Sequence, residues 1–565
     1  MQTKPMLRIL IILTVLALAS WATAANIGPD DRRISTTGID GDPTRDAFTP
    51  AIAFDSNEQK YLAVWSADDD DGEFRIWGRL LSGSAGAPLG DAFPISPDLG
   101  LTAVDHLQPA VAYSPDHGYY LVVWSSDIFS PGSFEIVGVA VGAGGTVSPT
   151  LHRYSDMGTN DADTAFDAVT PDLAWHSFLD AFVITWAADT DEGVDMLDGR
   201  FEIYGQLADG LSGAETGTND FRISFSYSGP VVNDILKPTV AVDPNSDRWW
   251  VAFEGDVLSD AVHDPEIWMY WCNGDVPNAS GSNISIMGAS YDDGLSGRNP
   301  DIAYVPSSGE LICVWSGEDG SASSPAIYGQ RLQLDGTKIG AMINFSDPGG
   351  LLYLKEATHP QIAIDPTTDE WFVTWRGGQV TPFVHYDHEV FARRFNDVGN
   401  PVDPLPFYLS GMDPSLIPVA GAGAPAVAIN SLHGYKLIVW SGDLDSTPGG
   451  EHEIYAQAFS DAGASPVEET PAAAFALHGA YPNPFNPQTT IAFDLPRAQP
   501  VSLRIYDAAG RLVRTLLHGE PGRAGRNEVK WNGTDDRGRQ AASGVYLYRL
   551  ETERNSVTDR MVLLK

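Results

Sequence analysis

The sequence is poor in cysteine and in basic residues, and each shortage excludes a class of protein. Of 565 residues only two are cysteines, Cys272 and Cys313, each inside an apolar strand-like run. Two thiols cannot form a disulfide framework, so we interpret them as buried hydrophobic side chains, with a single disulfide as the alternative. Lys and Arg total 34 against 75 Asp and Glu, which gives a net charge of −41. Such a charge repels nucleic acid and favours cations or basic partners, so we expect no nucleic-acid-binding role.

Familiar catalytic motifs are also absent from the sequence. It contains no G-x-S-x-G, no H-E-x-x-H and no P-loop. The segment HYDHE, which ends in His388 and Glu389, comes nearest to a metal motif. Its glutamate has counterparts elsewhere in the chain at Glu135, Glu202, Glu266 and Glu453. We therefore interpret it as part of a repeat, and we predict no catalytic residues and no required cofactor.

Long apolar runs are confined to the N-terminus, where Ile9 to Ala19 is almost wholly apolar. Lys4 and Arg8 give the segment a positive start, and Ala22-Thr23-Ala24 supplies a small-x-small cleavage pattern. We predict a signal peptide over residues 1–25. A membrane anchor is the alternative, but the run is short for the ~30 Å of a bilayer core. We therefore expect a secreted or cell-surface protein whose mature chain has no transmembrane segment.

Seven copies of one unit fill most of the chain. In each copy a proline opens a short apolar strand, an alanine follows three residues later, and a large aromatic residue follows fifteen residues after the proline. The prolines are Pro50, Pro109, Pro171, Pro238, Pro300, Pro360 and Pro425. The alanines are Ala53, Ala112, Ala174, Ala241, Ala303, Ala363 and Ala428. The aromatic residues are Trp65, Trp124, Trp186, Phe253, Trp315, Trp375 and Trp440. The internal spacing is constant although the period varies from 59 to 67 residues, which identifies a true repeat.

Each copy is interpreted as a four-stranded antiparallel sheet. The first three strands are near-continuous apolar runs, such as PAIAF, YLAVW and IWGRL in the first copy. Such runs are typical of strands that are covered on both faces. Turns rich in Asp, Pro, Ser, Asn and Gly separate the strands, and a weaker fourth strand such as FRIS ends most copies.

Sheets with two apolar faces must stack on copies of themselves, which predicts a seven-bladed β-propeller. A linear β-solenoid is the competing fold. The seventh copy lacks a fourth strand, whereas Arg32-Arg33-Ile34-Ser35 resembles the fourth strands of other copies. We therefore expect Arg33 to Thr36 to complete the last sheet and close a ring, a device that a solenoid does not need. The recurrent alanine is expected to line the crowded axis.

The repeats end before a different C-terminal pattern, which divides the chain. We predict the propeller over residues 26–463 and a short Ala-, Pro- and Glu-rich linker over 464–474. Over residues 475–565, alternating strands are separated by Asp-Ala-Ala-Gly and Asp-Asp-Arg-Gly turns. This pattern predicts a small β-sandwich, so the whole mature chain is predicted to be all-β.

The C-terminal motifs YPNPFNP, IYDAAGR, WNGTDDRG and GVYLYRL occur in this order. Together they resemble the FlgD-type Ig-like domain and the related C-terminal sorting domains of type IX secretion. The resemblance implies an Ig-like fold, recognition by secretion machinery, and sorting or anchoring at the cell surface. An inert stabilising module is the alternative. The repeat unit itself resembles propeller repeats of secreted bacterial proteins, which implies a fold and not an activity.

Acidic residues recur after the aromatic residue that ends the second strand of most copies. We name this set the acidic ring, because the corresponding loops of a propeller emerge on one face. Its members are Asp68, Asp69, Asp70, Asp71, Asp127, Asp189, Asp191, Glu254, Asp256, Glu318, Asp319, Asp443 and Asp445. A solvated rim is one interpretation, and a site for Ca²⁺ or for a basic ligand is the other.

Two functions of different classes follow from this organisation. The first is a non-enzymatic binding or adhesion protein that displays the propeller to an unknown extracellular glycan or protein. The alternative is a secreted polysaccharide hydrolase or lyase with its site at the axial mouth. An enzyme should show, in one blade only, polar residues that break the repeat near the axis. Copies four and six depart most, since Phe253 replaces tryptophan and Arg376-Gly377 follows Trp375.

Overall fold

The computed structural model describes most of the chain. The described residues are 25–35, 46–68, 73–97, 104–157, 166–189, 201–224, 235–255, 265–278, 280–285, 287, 295–318, 325–346, 354–381, 384–385, 388–411, 421–443, 452–460, 476–481, 483, 485–495, 499–507, 510–522, 525–552 and 556–564. Residues 1–24 of the predicted signal peptide and the predicted linker at 464–474 lie outside them. Among the described residues, no helix is long and apolar enough to cross a membrane.

Before the C-terminal domain, the described residues form seven small antiparallel sheets, numbered here in chain order. Sheet 1 contains β2 (Ala47–Asp55), β3 (Lys60–Asp68), β4 (Phe74–Ser82) and β5 (Phe93–Pro94). Sheet 2 contains β6 (His106–Ser114), β7 (Tyr119–Ser130), β8 (Ser133–Gly142) and β9 (His152–Arg153). Sheet 3 contains β10 (Ala168–His176), β11 (Ala181–Asp189), β12 (Phe201–Asp209) and β13 (Glu215–Arg222).

Sheets 4 to 7 repeat this order of strands. Sheet 4 contains β14 (Ile235–Val242), β15 (Arg248–Gly255), β16 (Glu266–Asn273), β17 (Val276–Pro277) and β18 (Ser282–Asn283). Sheet 5 contains β19 (Gly297–Val305), β20 (Glu310–Gly317), β21 (Ala326–Leu332) and β22 (Lys338–Asn344). Sheet 6 contains β23 (Leu354–Ile364), β24 (Trp371–Thr381), β25 (Val384–His385), β26 (Glu389–Phe395) and β27 (Phe407–Tyr408). Sheet 7 contains β28 (Ala426–Ile429), β29 (Lys436–Gly442), β30 (Glu453–Ser460) and, from the N-terminus, β1 (Ala25–Arg33).

The N-terminal strand β1 is the outermost strand of sheet 7. It pairs antiparallel with β30, with Arg33 opposite Tyr455. The contact continues past the strand, where the Ile34 N–H donates to the Ile454 carbonyl at 2.8 Å. The strand therefore lies slightly earlier in the chain than the expected Arg33 to Thr36.

Hydrophobic side chains fill the spaces between successive sheets. The recurrent aromatic residues of the second strands are all buried there, with Trp65 and Trp440 at 1% and 0% exposure. One cluster joins the first sheet to the last, because Trp65 and Ala63 pack with Val439 and Ala456. The row of sheets thus closes on itself, which is the arrangement of a propeller rather than of a solenoid.

The recurrent alanine lies elsewhere than expected. Ala53 packs in the cluster between sheets 1 and 2, and Ala241 packs in the cluster between sheets 4 and 5. The small side chain thus allows neighbouring sheets to approach each other closely. The axis is lined instead by residues two to four positions earlier in the same strands.

A serine after the fourth strand fastens each sheet. In sheet 3, Ser224 Oγ accepts a hydrogen bond from the Ile203 N–H at 2.8 Å and donates one to the buried Glu202 carboxylate. Arg222 Nη2 donates to the same carboxylate at 2.7 Å. The corresponding backbone bond is accepted by Ser35, Ser96, Ser155, Ser285, Ser346 and Ser410. The glutamate of HYDHE belongs to this arrangement, since Ser410 Oγ donates to Glu389 at 2.5 Å.

The C-terminal domain consists of two further sheets with their own hydrophobic core. One sheet has the order β31 (Ala476–Tyr481), β32 (Thr489–Leu495) and β35 (Gly525–Trp531). The other has the order β34 (Leu512–Gly522), β33 (Gln499–Asp507), β36 (Gly544–Glu551) and β37 (Ser556–Leu563). The core between them includes Phe485, Trp531 and Tyr548.

Candidate active site

The first strands of the seven sheets surround an axial cavity of about 360 Å³. Each sheet contributes its recurrent proline and the residue on either side. The residues before the prolines are Thr49, Gln108, Thr170, Lys237, Asn299, His359 and Ala424. The residues after the prolines are Ala51, Ala110, Asp172, Thr239, Asp301, Gln361 and Ala426. The volume lies within the usual range of ligand pockets, roughly 300–1,000 Å³.

A repeated backbone distortion brings these side chains to the cavity. In the first six sheets the residue before the proline has a positive φ, for example 53° at Lys237 and 51° at His359. The register of the first strand shifts at the same point, as between Leu236 and Thr239. Such a bulge turns a side chain away from the regular alternation of a strand. A positive φ in a non-glycine residue is uncommon, and it recurs here at the edge of one cavity.

The chemistry of the cavity is not symmetric. The residue after the proline is alanine in sheets 1, 2 and 7, whereas sheets 3 to 6 have Asp172, Thr239, Asp301 and Gln361. The residue before the proline is correspondingly Lys237, Asn299 and His359 in sheets 4 to 6. At the position after the proline the cavity is therefore polar in sheets 3 to 6 and lined by alanine in sheets 1, 2 and 7, although Thr49 and Gln108 before the proline add polar groups in sheets 1 and 2. Sequence reasoning missed this asymmetry, although the aligned first strands PAIAF, PDLAW, PTVAV and PDIAY already contain it.

Two aspartates on the polar side have raised pKa values. The pKa of Asp172 is raised to about 7, mainly by burial and to a smaller extent by the neighbouring charge of Asp301. Asp172 Oδ2 accepts a hydrogen bond from the Val240 N–H at 2.8 Å, which acts in the opposite direction. Some surface of the residue stays accessible at the cavity. At neutral pH this carboxyl group can therefore hold a proton and release it.

Asp301 accepts hydrogen bonds at both of its carboxylate oxygens. Its Oδ1 accepts bonds from Thr239 Oγ1 at 2.8 Å and from the Ile302 N–H at 2.9 Å. Its Oδ2 accepts a bond from the Ile362 N–H at 2.7 Å. Burial raises the pKa of Asp301 to about 6, and these hydrogen bonds to the carboxylate oppose the rise. The environments of the two aspartates thus favour an ionised Asp301 beside a protonated Asp172.

The basic groups of the site lie on sheets 4 and 6. Lys237 Nζ is 2.6 Å from Asn299 Oδ1 and 3.3 Å from Glu254 Oε1. The pKa of His359 is lowered to about 4, mainly by burial and to a smaller extent by the charges of Lys237 and Arg376. Arg376, noted above as a departure of copy six, contacts the histidine of the HYDHE segment, since Arg376 Nη2 lies 2.9 Å from His388 Nδ1. The departure in copy four is structural, because Phe253 is buried and stacks on Tyr270.

The acidic ring is only partly a solvated rim. Among its described members Asp127, Glu254 and Asp443 are buried, at 6%, 6% and 2% exposure. Asp127 accepts hydrogen bonds from the Asp105 and Gly132 N–H groups at 2.8 and 2.9 Å. These side chains therefore fasten loops instead of facing solvent. Asp68, Asp189 and Glu318 are half-buried at the ends of their second strands.

The other seven members of the ring lie outside the described residues. They are Asp69, Asp70, Asp71, Asp191, Asp256, Asp319 and Asp445. Within the described part of the chain, no three His, Cys, Asp or Glu side chains are grouped so that they could hold a metal ion. A Ca²⁺ site in the ring stays a prediction.

Cys272 and Cys313 are buried free thiols.

A larger groove of about 850 Å³ lies in the C-terminal domain. Two of its three arginines are neutralised within their own turns, because Arg511 Nε donates to Asp507 Oδ2 at 2.7 Å and Arg539 Nε donates to Asp535 Oδ2 at 3.0 Å. Both turns are exposed D-x-x-G-R segments that stabilise themselves. The axial cavity, with its half-buried aspartates of raised pKa, is therefore the better candidate for a reaction site.

Comparison with known proteins identifies the C-terminal domain and the fold of the rest. Residues 483–556 match the model of the FlgD Ig-like domain. No curated protein matches the chain. Similar solved structures include the α-L-arabinanase of Penicillium chrysogenum in complex with arabinobiose, at 13% identity and a TM-score of 0.42, over 66% of this chain and 99% of that chain.

Two further similar structures have comparable values. The endo-arabinanase of Bacillus licheniformis has 12% identity and a TM-score of 0.28, over 52% of this chain and 96% of that chain. The hemagglutinin-neuraminidase ectodomain of parainfluenza virus 5 has 10% identity and a TM-score of 0.39, over 66% of this chain and 83% of that chain. At these identities the likeness shows the fold alone.

The expectation of a non-enzymatic binding or adhesion protein is not supported by this comparison. The two arabinanases among the similar structures are enzymes by name.

Proposed function

We propose that this chain is an exported polysaccharide hydrolase whose reaction site is the axial cavity, with Asp172 as general acid and Asp301 as general base. The observation that carries the proposal is the break in the repeat after the recurrent proline. Sheets 1, 2 and 7 have alanine there, whereas sheets 3 and 5 have Asp172 and Asp301. These two carboxyl groups bond to the first strand of the next sheet, yet sheets 1, 2 and 7 are joined to their neighbours with alanine at the same position, so the repeat alone does not require them.

Glycoside cleavage needs two carboxyl groups with different protonation states. In the proposed step Asp172 donates its proton to the glycosidic oxygen, and the bond from that oxygen to the anomeric carbon breaks. The Asp301 carboxylate removes a proton from the water that forms the new bond to the anomeric carbon. One water is consumed, and the proton returned to Asp172 balances the proton taken up by Asp301.

The environments of the two groups support this assignment. The pKa of Asp172 is raised to about 7 and that of Asp301 to about 6, so between these pH values Asp172 mostly holds a proton to donate and Asp301 is mostly ionised and can accept one. The three hydrogen bonds accepted by Asp301 hold its carboxylate in one orientation. The alanines opposite leave room for the apolar face of a sugar ring.

The proposal includes the organisation of the whole chain. We take the seven sheets as the seven blades of one propeller over residues 26–463, preceded by a cleaved signal peptide. We further propose that the C-terminal domain is a type IX sorting domain that delivers the enzyme to the cell surface or the medium. The Ala22-Thr23-Ala24 pattern and the motif YPNPFNP support this route.

The mature chain can be tested by incubation with a panel of neutral and acidic polysaccharides and measurement of new reducing ends. We expect cleavage of at least one polysaccharide by the wild type. Asp172→Asn and Asp301→Asn should each lower the rate by about 100-fold or more, the usual effect of removing a general acid or base. A product that absorbs as an unsaturated sugar would indicate a lyase instead.

Asp335→Asn is the matched control, because this aspartate lies in an exposed turn of sheet 5. It should leave the cleavage rate unchanged. Equal rates for the wild type and both axial variants would overturn the proposal, and so would the absence of cleavage across the panel.

A further inference from the structure

The axial cavity contains one lysine in a chain that has few basic residues. Among the described residues that line the cavity, Lys237 is the only Lys or Arg. The positive φ of 53° brings its side chain to the cavity, and 42% of that side chain is exposed. With this much of its side chain exposed, Lys237 is accessible to a ligand in the cavity.

The described partners of Lys237 account for only two of its three hydrogen-bond donors. An ammonium group carries three N–H donors. Within the described structure, Asn299 Oδ1 at 2.6 Å and Glu254 Oε1 at 3.3 Å account for two of them. These two contacts also hold the ammonium group in place, which lowers the entropic cost of binding a ligand.

His359 supplies a second polar group two sheets further round the cavity. Its Nδ1 is shielded from solvent and has no hydrogen-bond partner among the described residues. A shielded polar atom without a partner is unfavourable unless a ligand or water meets it. Lys237, Asn299 and His359 occupy the same position, before the recurrent proline, in three successive sheets.

Several acidic groups limit the positive potential of this region, and they include Asp172 and Asp301 in the lining of the same cavity. Glu254 partly neutralises Lys237, and Glu356 Oε2 lies 3.0 Å from His388 Nε2. Arg376 on β24 adds a positive charge to the same region. Its Nε donates a hydrogen bond to the Ala422 carbonyl at 3.0 Å. The lysine therefore remains the cation that is nearest to a ligand in the cavity.

We infer that Lys237 and His359 bind the carboxylate of an acidic sugar, so that the substrate is a uronate-containing polysaccharide and not a neutral one. The inference rests on the hydrolase proposed above and names its substrate class. A carboxylate offers two acceptor oxygens, which match the spare donor of Lys237 and an N–H on His359. The hydroxyl groups of a neutral sugar can hydrogen-bond to both residues, but they carry no charge to offset that of Lys237.

Binding of trisaccharides to the mature full-length chain tests this inference. The probes are trigalacturonate, triglucuronate and trimannuronate, each compared with its methyl ester in a calorimetric titration. We expect at least one uronate to bind about tenfold or more tightly than its ester, the effect of one hydrogen bond to a charged group. Lys237→Gln should abolish that preference, and Lys237→Arg should retain it.

Lys338→Gln is the matched control, since it removes the same charge from an exposed position on the outer strand of sheet 5. It should leave the preference intact. Equal affinities for acids and esters in the wild type, or a preference that survives in Lys237→Gln with unchanged thermal unfolding, would overturn the inference.

The outcomes separate this inference from the hydrolase proposal. Asp172-dependent cleavage of neutral polysaccharides without a uronate preference would contradict the acidic substrate and support the hydrolase. Lys237-dependent binding of a uronate without cleavage of any polysaccharide would support the carboxylate site and contradict the hydrolase.

Discussion

Arg33 and Glu453 lie 420 positions apart in the chain and form an ion pair inside sheet 7. Ser35 donates a hydrogen bond to the same carboxylate, whose side chain is only 2% exposed. The N-terminal segment thus provides the groups that Arg222 and Ser224 provide to Glu202 within sheet 3. The N-terminal segment therefore completes sheet 7 through an ion pair and a side-chain hydrogen bond as well as through strand pairing.

Arg33→Ala should destabilise the protein by about 1–3 kcal/mol, because it leaves the buried Glu453 carboxylate without its cation. Equilibrium denaturation in urea measures the change. In the double variant Arg33→Ala/Glu453→Gln the loss should be smaller, since no unpaired charge remains. Arg222→Ala in sheet 3 is the matched control and should cost a similar amount. A stability identical to wild type in Arg33→Ala would mean that β1 does not fasten sheet 7.

Asp172 should make stability depend on pH. Burial raises its pKa from 3.8 to about 7, so between these values the folded protein holds a proton that the unfolded chain has released. The contribution of this group is therefore complete below pH 3.8 and is lost as pH rises through 7. Asp172→Asn is neutral throughout, so its melting temperature relative to wild type should rise between pH 4 and pH 8.

Asp335→Asn is a control of opposite sign. The Thr337 N–H lowers the pKa of Asp335, so this carboxylate contributes stability above its ordinary pKa and loses it as pH falls. The variant should therefore be less stable than wild type at pH 7 and similar to it at pH 3. A parallel pH dependence in Asp172→Asn and Asp335→Asn would contradict the different environments assigned to them.

The two predicted domains should separate on limited proteolysis. The C-terminal domain has its own core, which includes Phe493 and Leu550, and the predicted linker is rich in Ala, Pro and Glu. Brief digestion of the mature chain should cut first within residues 464–474, as intact-mass spectrometry would show. First cuts between two of the seven sheets would contradict the domain boundary.

Sequence periodicity was sufficient for the fold but not for the site. The all-β class, the propeller and the Ig-like domain are confirmed, because apolar alternation and turn residues determine which faces must be buried. The pairing of β1 with β30 also had a local cause, since Arg33 and Ser35 repeat the pattern of Arg222 and Ser224.

The site was missed for a physical reason. Asp172 and Asp301 line the same cavity because the first strands converge on one axis. The bulge at each proline turns the flanking residues toward this axis. The spacing of residues along one strand predicts neither the convergence of the strands nor the bulge. The same limitation made the acidic ring look uniform, although Asp127 and Glu254 are buried in contacts with neighbouring loops.

The rate of polysaccharide cleavage by an Ala424→Trp variant tests the central claim most directly. Ala424 lines the axial cavity and is exposed, and the equivalent positions of other sheets hold Gln108, Lys237 and His359, so a large side chain fits there. The tryptophan should obstruct the cavity and lower cleavage about tenfold or more without changing the melting temperature, whereas Ser308→Trp in an exposed turn should have no effect. Cleavage by Ala424→Trp at the wild-type rate would contradict a reaction site on the axis.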